Sequence, residues 1–299
     1  MWARQKSMSK SESGAQLLAR LGSRPSLEKV EPKLFPNGLS PGEVVELFGA
    51  EGTGKSEVLL HCIAKCILPP EWLTFDLGGL GTKVIFIDTD YKFSILRLVI
   101  LLEKKITDIV NTEVDETKPS SDEIEVFITK CLKRLYLVRC NSSHQLLCTL
   151  HSLETNIAAD SDFAGIMIDS ISAFYWIDRC NHGDGGSAHE KNMNKIVDIL
   201  QTIAKKYNLV VMATKAAVFK AKLRDFDKGD NASPFGESKH KGDNSNFSEY
   251  LGKVWNKFVG KWLMLEKDVT GGKSIFTSRQ KMSGHSVCFT ISESGLQFE

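Results

Sequence analysis

From residue 44 to residue 70 the chain reads VVELFGAEGTGKSEVLLHCIAKCILPP: an apolar run, a glycine-rich turn and a helical run in direct succession. Gly49, Gly54, Lys55 and Ser56 occupy the fixed positions of the G-x-x-x-x-G-K-[ST] pattern. Glycines let backbone N–H groups converge on a phosphate chain, and a helix start behind them adds the positive end of its dipole. The pattern therefore requires a strand that delivers the turn and a helix that leaves it, which is the repeating unit of a parallel sheet. On this reading Gly49, Ala50, Glu51, Gly52, Thr53, Gly54, Lys55 and Ser56 cradle a nucleotide, Lys55 reaches its terminal phosphates, and Ser56 ligates magnesium.

The rest of the chain agrees with that unit. EVVELF (43–48), KVIFID (83–88), RLYLVR (134–139), GIMID (165–169) and LVVMAT (209–214) are short apolar segments separated by helix-period runs. Between Thr53 and Ile67, Leu59, Ile63 and Ile67 share a face, and Pro69 and Pro70 end the run; Met193, Ile196, Val197, Leu200, Ile203 and Ala204 repeat at threes and fours. The expected fold is α/β, a mostly parallel sheet flanked by helices. KWLMLEK, KSIFTSRQKM and SVCFTIS, joined by turn-rich pieces, predict antiparallel hairpins that finish the sheet. Residues 71–82, 107–122 and 215–250 read as loops. Residues 1–40 read as a tail and linker, with the short amphipathic stretch SGAQLLARL followed by the proline-bearing EPKLFPNGLSPG, and the core domain is expected over 41–299.

A net charge of +1 on 299 residues supplies no overall attraction to nucleic acid, so any such contact must be local or come through partners. Seven scattered cysteines, without a C-x-x-C pair, read as reduced, mostly buried thiols of an intracellular protein. The longest apolar run, LVILL, is far short of the roughly 20 residues a membrane helix needs. No apolar core follows the basic MWARQKSMSK, so it is not a secretory signal.

Magnesium held by Ser56 calls for a second acid at the end of an apolar strand, and FAGIMIDS supplies Asp169. A hydrolytic site also needs a carboxylate to orient water, and VIFIDTDYKF offers Asp88 and Asp90. A turn or capping acid before the following helix is the rival reading for both.

These residues carry a resemblance. GAEGTGKSE, CILP, VIFIDTDYKFSILRLVILLE and DSISAFYWIDR resemble a RecA-family recombinase core, and the similarity runs from about Ser11 to ESGLQF near the C-terminus. The resemblance implies a RecA-type ATPase core without the helical N-terminal domain of full-length recombinases, binding ATP with Mg2+. It implies a nuclear paralogue that serves homologous-recombination repair of double-strand breaks within a heteromeric paralogue complex. That complex assists the main recombinase filament on single-stranded or branched DNA. Family cores assemble through a linker laid against the next subunit, so residues 11–36, with the stripe Leu17, Leu18 and Leu21, are expected to contact a partner; the rival reading folds the stripe back on the chain's own core. The segments 177–190 and 215–250 match the DNA-gripping loops in position. From Lys215 to Lys241 there are six lysines and one arginine against three aspartates and one glutamate, a modest basic bias that a solvated loop also explains.

Two departures stand out. Where the recombinases carry a glutamate as catalytic base, this chain has Asp90, one methylene shorter, followed by Tyr91. Where they carry an Asn-Gln phosphate sensor, Lys215 and Ala216 follow Thr214. Weak or absent intrinsic hydrolysis is the expected consequence. An independent DNA-stimulated ATPase or a small-molecule kinase is the alternative; a kinase needs arginines in its lid, and the long loop has only Arg224.

Overall fold

The computed structural model describes residues 13–14, 24–112, 118–180, 187–219, 247–270 and 272–299. The chain runs β1 (Val44–Gly49), α1 (Lys55–Ile67), a small hairpin of β2 (Glu71–Trp72) and β3 (Phe75–Asp76), β4 (Lys83–Asp88), α2 (Ile95–Thr112), α3 (Ser121–Leu132) and β5 (Leu135–Arg139). It continues through α4 (Ser143–Ala159), β6 (Phe163–Asp169), α5 (Tyr175–Cys180), α6 (Ser187–Tyr207), β7 (Val210–Ala216), β8 (Val218–Phe219), β9 (Phe247–Ser248) and α7 (Lys253–Phe258). Four strands close it: β10 (Lys261–Thr270), β11 (Lys273–Gln280), β12 (Ser286–Ser292) and β13 (Gly295–Phe298).

One nine-stranded sheet in the order β13-β12-β11-β10-β1-β7-β6-β4-β5 organises these elements. From β10 to β5 every neighbouring pair is parallel, and from β10 to β13 every pair is antiparallel. The central strands are apolar without interruption because helices cover both faces: all seven residues of β6 are buried. One face packs against α1, α2 and α3, with Val45, Leu47, Val84, Met167 and Met212 from the sheet. The other packs against α4, α6 and α7, with Ile85, Ile166, Val211 and Ala213. The C-terminal hairpins lie as expected, but their first strand, β10, also extends the parallel sheet by pairing with β1.

Several expectations are corrected: 71–82 carries the β2–β3 hairpin, the described ends of 177–190 belong to α5 and α6, and 215–250 begins inside β7 and includes β8 and β9. The stretch 107–122 is not one loop: α2 runs on to Thr112 because Leu98, Leu102, Ile106 and Val110, four apart, are all buried. Ser120 then opens α3 with a capping box, taking the Glu123 N–H at 3.3 Å while the Glu123 carboxylate takes the Ser120 N–H at 2.8 Å. The core also begins before residue 41. Leu27, Val30, Leu34, Phe35 and Leu39 are each at most 1% exposed and join the α1 face. Arg24 anchors the start of this segment by donating to the carbonyls of Ile157 at 2.6 Å and Asp160 at 3.1 Å, at the C-terminal end of α4. Leu17, Leu18 and Leu21 lie outside the described residues, as do 181–186 and 220–246. Among the described residues no helix is long and apolar enough to cross a membrane.

Candidate nucleotide site

The loop 49–56 joins β1 to α1 at the C-terminal edge of the parallel strands. Its glycines are required by space and by backbone. A Cβ on Gly49 would press on the Leu265 carbonyl and lie 2.7 Å from Thr53 Oγ1. Gly52 and Gly54 take φ of 76° and 85°, the left-handed region that side chains disfavour. Gly54 is the N-cap of the 13-residue α1 and offers no side-chain cap, so the first-turn N–H groups are left for another acceptor. Thr53 closes the turn from inside, its hydroxyl donating to the Ala50 carbonyl at 2.9 Å. The Lys55 ammonium donates to the Gly49 and Ala50 carbonyls at 2.9 and 2.6 Å. Burial lowers its pKa, while Asp169, Glu51 and Asp90 pull the other way, so those three carboxylates surround the cation.

The adjacent strand ends bring the acids in. In the order β7-β6-β4, Asp169 pairs with Asp88 across the ladder, and the Thr214 hydroxyl donates a short hydrogen bond to Asp169 Oδ1. The Asp169 carbonyl accepts from the N–H groups of Thr89 at 2.8 Å and Asp90 at 3.4 Å, and the Asp169–Ser170 peptide bond is cis. Asp169 is thus nearly buried and held in place, 9% exposed, on the side of the sheet that carries α1.

The two candidate water-orienting acids part company. Asp88 is 1% exposed and accepts from the N–H groups of Lys92 at 3.2 Å and Phe93 at 3.3 Å, with the Arg139 Nε 3.4 Å away. It is the turn acid of the rival reading. Asp90 is exposed and projects at the edge beside Asp169. Desolvation on its inner side, then the Asp169 carboxylate, lift its carboxyl above the ordinary range, against a hydrogen bond from Ser170.

Sequence reasoning missed a second layer around α1. Arg97 on α2 grips the Glu57 carboxylate with two nitrogens, at 3.3 and 2.8 Å, and the carbonyls of Ser292 and Glu293 at 2.7 Å each. It ties the phosphate-loop helix to the β12–β13 turn. The pairing joins residues far apart in the chain, and no local spacing announces it.

Over residues 27–239 the sequence matches the family model described as Rad51. The chain belongs to the Rad51 family. It is 38% identical to the mouse (Mus musculus) protein described as DNA repair protein XRCC2, over 97% of this chain and 98% of that one. An Arabidopsis thaliana protein described as a DNA repair protein XRCC2 homolog is 28% identical, over 86% of this chain and 77% of its own. The DNA repair and recombination protein RadA of Haloquadratum walsbyi is 28% identical, over 82% and 72%.

Along this edge lie loop 49–56, Ser56 at the first turn of α1, and Asp169 at the end of β6, one strand beyond β7. The end of β7 is different. Val211 and Ala213 face the α4, α6 and α7 core, and by strand alternation Lys215 follows them, away from the phosphate loop, whereas Thr214 faces Asp169. Of the two positions where the recombinases carry the sensor pair, Lys215 faces the opposite side of the sheet, and Ala216, on the Thr214 side by the same alternation, ends in a methyl that cannot hydrogen-bond a phosphate.

Proposed function

We propose that this Rad51-family chain is a nucleotide-holding subunit in DNA repair by homologous recombination. It works in the nucleus within a complex of related paralogues that assists the main recombinase filament, and it reaches single-stranded or branched DNA chiefly through that complex. ATP is held by Gly49, Ala50, Glu51, Gly52, Thr53, Gly54, Lys55 and Ser56, with Lys55 on the terminal phosphates and Ser56 and Asp169 disposed to hold Mg2+. Bound magnesium would spread the phosphate charge. The chain's own residues orient and neutralise: the first-turn amides of α1 and the Lys55 ammonium face the phosphates, and Thr214 fixes one oxygen of Asp169.

What supports this reading is a loop with the glycine backbone, Lys55 and Ser56 that the phosphate-binding pattern calls for, beside a strand end where Lys215 faces the other way and Ala216 offers only a methyl. Asp90 is the one described carboxylate placed to orient a water, and it is one methylene short of the family's glutamate. A displacement of about 1 Å can cost on the order of a hundredfold in rate. An independent ATPase or kinase would need more than the edge supplies.

Of residues 11–36, expected to meet a partner, Leu27, Val30, Leu34 and Phe35 are buried in the chain's own core. Within that segment an apolar contact with another subunit falls to what precedes them, where Leu17, Leu18 and Leu21 lie. The test is purification of the tagged full chain from cells, with identification of bound chains, for the wild type and for Leu17→Asp with Leu21→Asp. The wild type should bring down at least one other Rad51-family chain, and the double variant should lose it while keeping its melting temperature. A wild type that arrives without any such chain contradicts the proposal.

A further inference from the structure

Lys215 is among the most completely buried charged side chains of the protein, 1% exposed. Its ammonium lies 3.1 Å from Glu46 Oε1 on β1 and 2.8 Å from Glu249 Oε2 just after β9. Glu46 is also 1% exposed, and its second oxygen accepts a short hydrogen bond from the indole Nε1 of fully buried Trp255 on α7. The rings of Phe48 and Tyr250 flank the ammonium at 5.7 and 5.9 Å. Two carboxylates and two ring faces thus stand around the ammonium where water is excluded.

The contacts around it converge on the two described ends of the stretch 216–250. At the first end, the Ala216 N–H donates to Ser172 Oγ at 3.1 Å, and the Ala217 N–H donates at 3.0 Å to the carbonyl of Gly49, the first residue of the phosphate loop. At the second end, the Tyr250 hydroxyl donates to the Ala216 carbonyl at 2.6 Å, and Phe247 meets Phe48 edge-on at 5.4 Å. The ladder of β8 and β9, Val218 with Ser248 and Phe219 with Phe247, ties the ends to each other. Each of these contacts is made within the protein.

We propose that Lys215 is a positioning residue that pins both ends of this stem to the core beside the phosphate loop, so that the stem keeps one arrangement with or without nucleotide. It acts through Glu46 and Glu249, which fix the strand end and the return strand, and through Ala217, which carries that fixed position to Gly49. An amide terminus at this position would leave Glu46 buried without its counter-charge. The second half of the proposal rests on the nucleotide-binding reading; the first does not.

Hydrogen exchange of backbone amides in the full chain, alone and with saturating ATP and Mg2+, tests both halves. In the wild type, amides 217–219 and 247–249 should exchange slowly and keep their rates within about twofold when ATP and Mg2+ are added. In Lys215→Met the same amides should exchange at least about tenfold faster, while those of Leu60 and Ile63 in α1 hold their rates, which separates loss of the pin from general loosening. Glu249→Gln, at a half-exposed partner, should give a smaller acceleration in the same peptides and decides the matter if Lys215→Met does not fold. Slowing of the wild-type stem by about tenfold or more on adding ATP and Mg2+ overturns the nucleotide-independent arrangement. Unchanged stem exchange in the folded variants overturns the pin. Amides 53–56 report nucleotide binding in the same spectra: if ATP and Mg2+ leave them unchanged the binding reading fails, and the comparison of variants still judges Lys215.

Discussion

Lys55 and Lys215 stand at the same edge of the sheet, one just after β1 and the other near the end of its neighbour β7, and their surroundings are opposite. Lys55 is partly buried, lies over loop carbonyls, and feels the exposed carboxylates of Glu51 and Asp90 as well as the nearly buried Asp169. Lys215 is sealed between Glu46 and Glu249 under two aromatic rings. A cation meant for a ligand is kept where the ligand can reach it, and its own partners are weak enough to be exchanged. A cation used by the fold has strong partners and no access. On the proposed reading the loop at Lys55 is a site of the first kind, and Lys215 at the end of β7 is one of the second.

The largest effect expected from breaking that contrast is on stability. Lys215→Met strands the Glu46 carboxylate in the core, which should cost about 3–5 kcal/mol in urea unfolding. Burial already raises the Glu46 pKa above its usual value near 4.5, against the pull of Lys215 and Trp255. A carboxyl raised in the folded state gives its full contribution below its unfolded pKa and loses it as pH rises through the folded one. The loss in Lys215→Met should therefore grow from acid toward neutral pH. Adding Glu46→Gln should recover part of it, because an amide oxygen still accepts from Trp255. A single variant with wild-type stability would show that the pair is not a fold element.

Lys55→Ala should do the reverse. It should leave the urea midpoint nearly unchanged and weaken ATP binding in the presence of Mg2+ by about 1.5–3 kcal/mol, roughly 10- to 150-fold, as read by calorimetry. Equal affinity would remove Lys55 from the ligand-facing class. A smaller response is expected from Asp90→Glu. Restoring the methylene should raise turnover, by less than the hundredfold or so that a 1 Å misplacement can cost, because Ala216 still offers no side chain to sense the terminal phosphate. Full recovery would mean that the strand end is irrelevant to hydrolysis.

A buried imidazole–carboxylate pair tests the same contrast from another side. On the back of α1, His61 Nε2 and Glu31 Oε2 are 2.7 Å apart, both buried, with Phe298 edge-on to the imidazole. Burial holds the His61 pKa below 6.5 although Glu31 opposes it. At Glu31 burial pushes upward, but hydrogen bonding to His61 and Lys33 outweighs it and leaves the carboxyl below 4.5. Both depressed values give stability that is whole above the unfolded pKa and is lost as pH falls. Unfolding followed against pH should thus weaken on acidification from about 6.5 downward, and His61→Gln should flatten the upper part of that slope without changing ATP affinity. An unaltered slope would remove His61 from the account.

Much of this was legible in the sequence, for physical reasons that also mark where legibility stops. The loop 49–56 announces itself because its glycines answer local demands: contact at Gly49, left-handed backbone at Gly52 and Gly54. Strands such as β6 are legible because burial on both faces leaves an unbroken apolar run. α3 was hidden because only Phe127, Ile128 and Cys131 of its residues are buried among charged neighbours, and its capping box looks like part of a polar loop. Residues 27–39 bury five large apolar side chains, but prolines and the lack of a regular period made them read as a linker. Lys215 was visible only as a missing sensor. Its partners lie 169 and 34 positions away, so the clamp exists only once β1, β7 and the segment after β9 are brought together.

On the proposed reading the chain holds ATP with Mg2+ and hardly turns it over, because the loop keeps its phosphate-binding pattern while Asp90 is short and Ala216 cannot sense the terminal phosphate. The most direct measurement is ATP turnover by the purified full chain, with nucleotide binding measured on the same sample, in the absence and presence of single-stranded DNA. The account predicts Mg2+-dependent ATP binding with turnover far below about 1 per second, the lower end for competent enzymes, and no stimulation by DNA. Turnover near that rate, or a clear rise on adding single-stranded DNA, would contradict it.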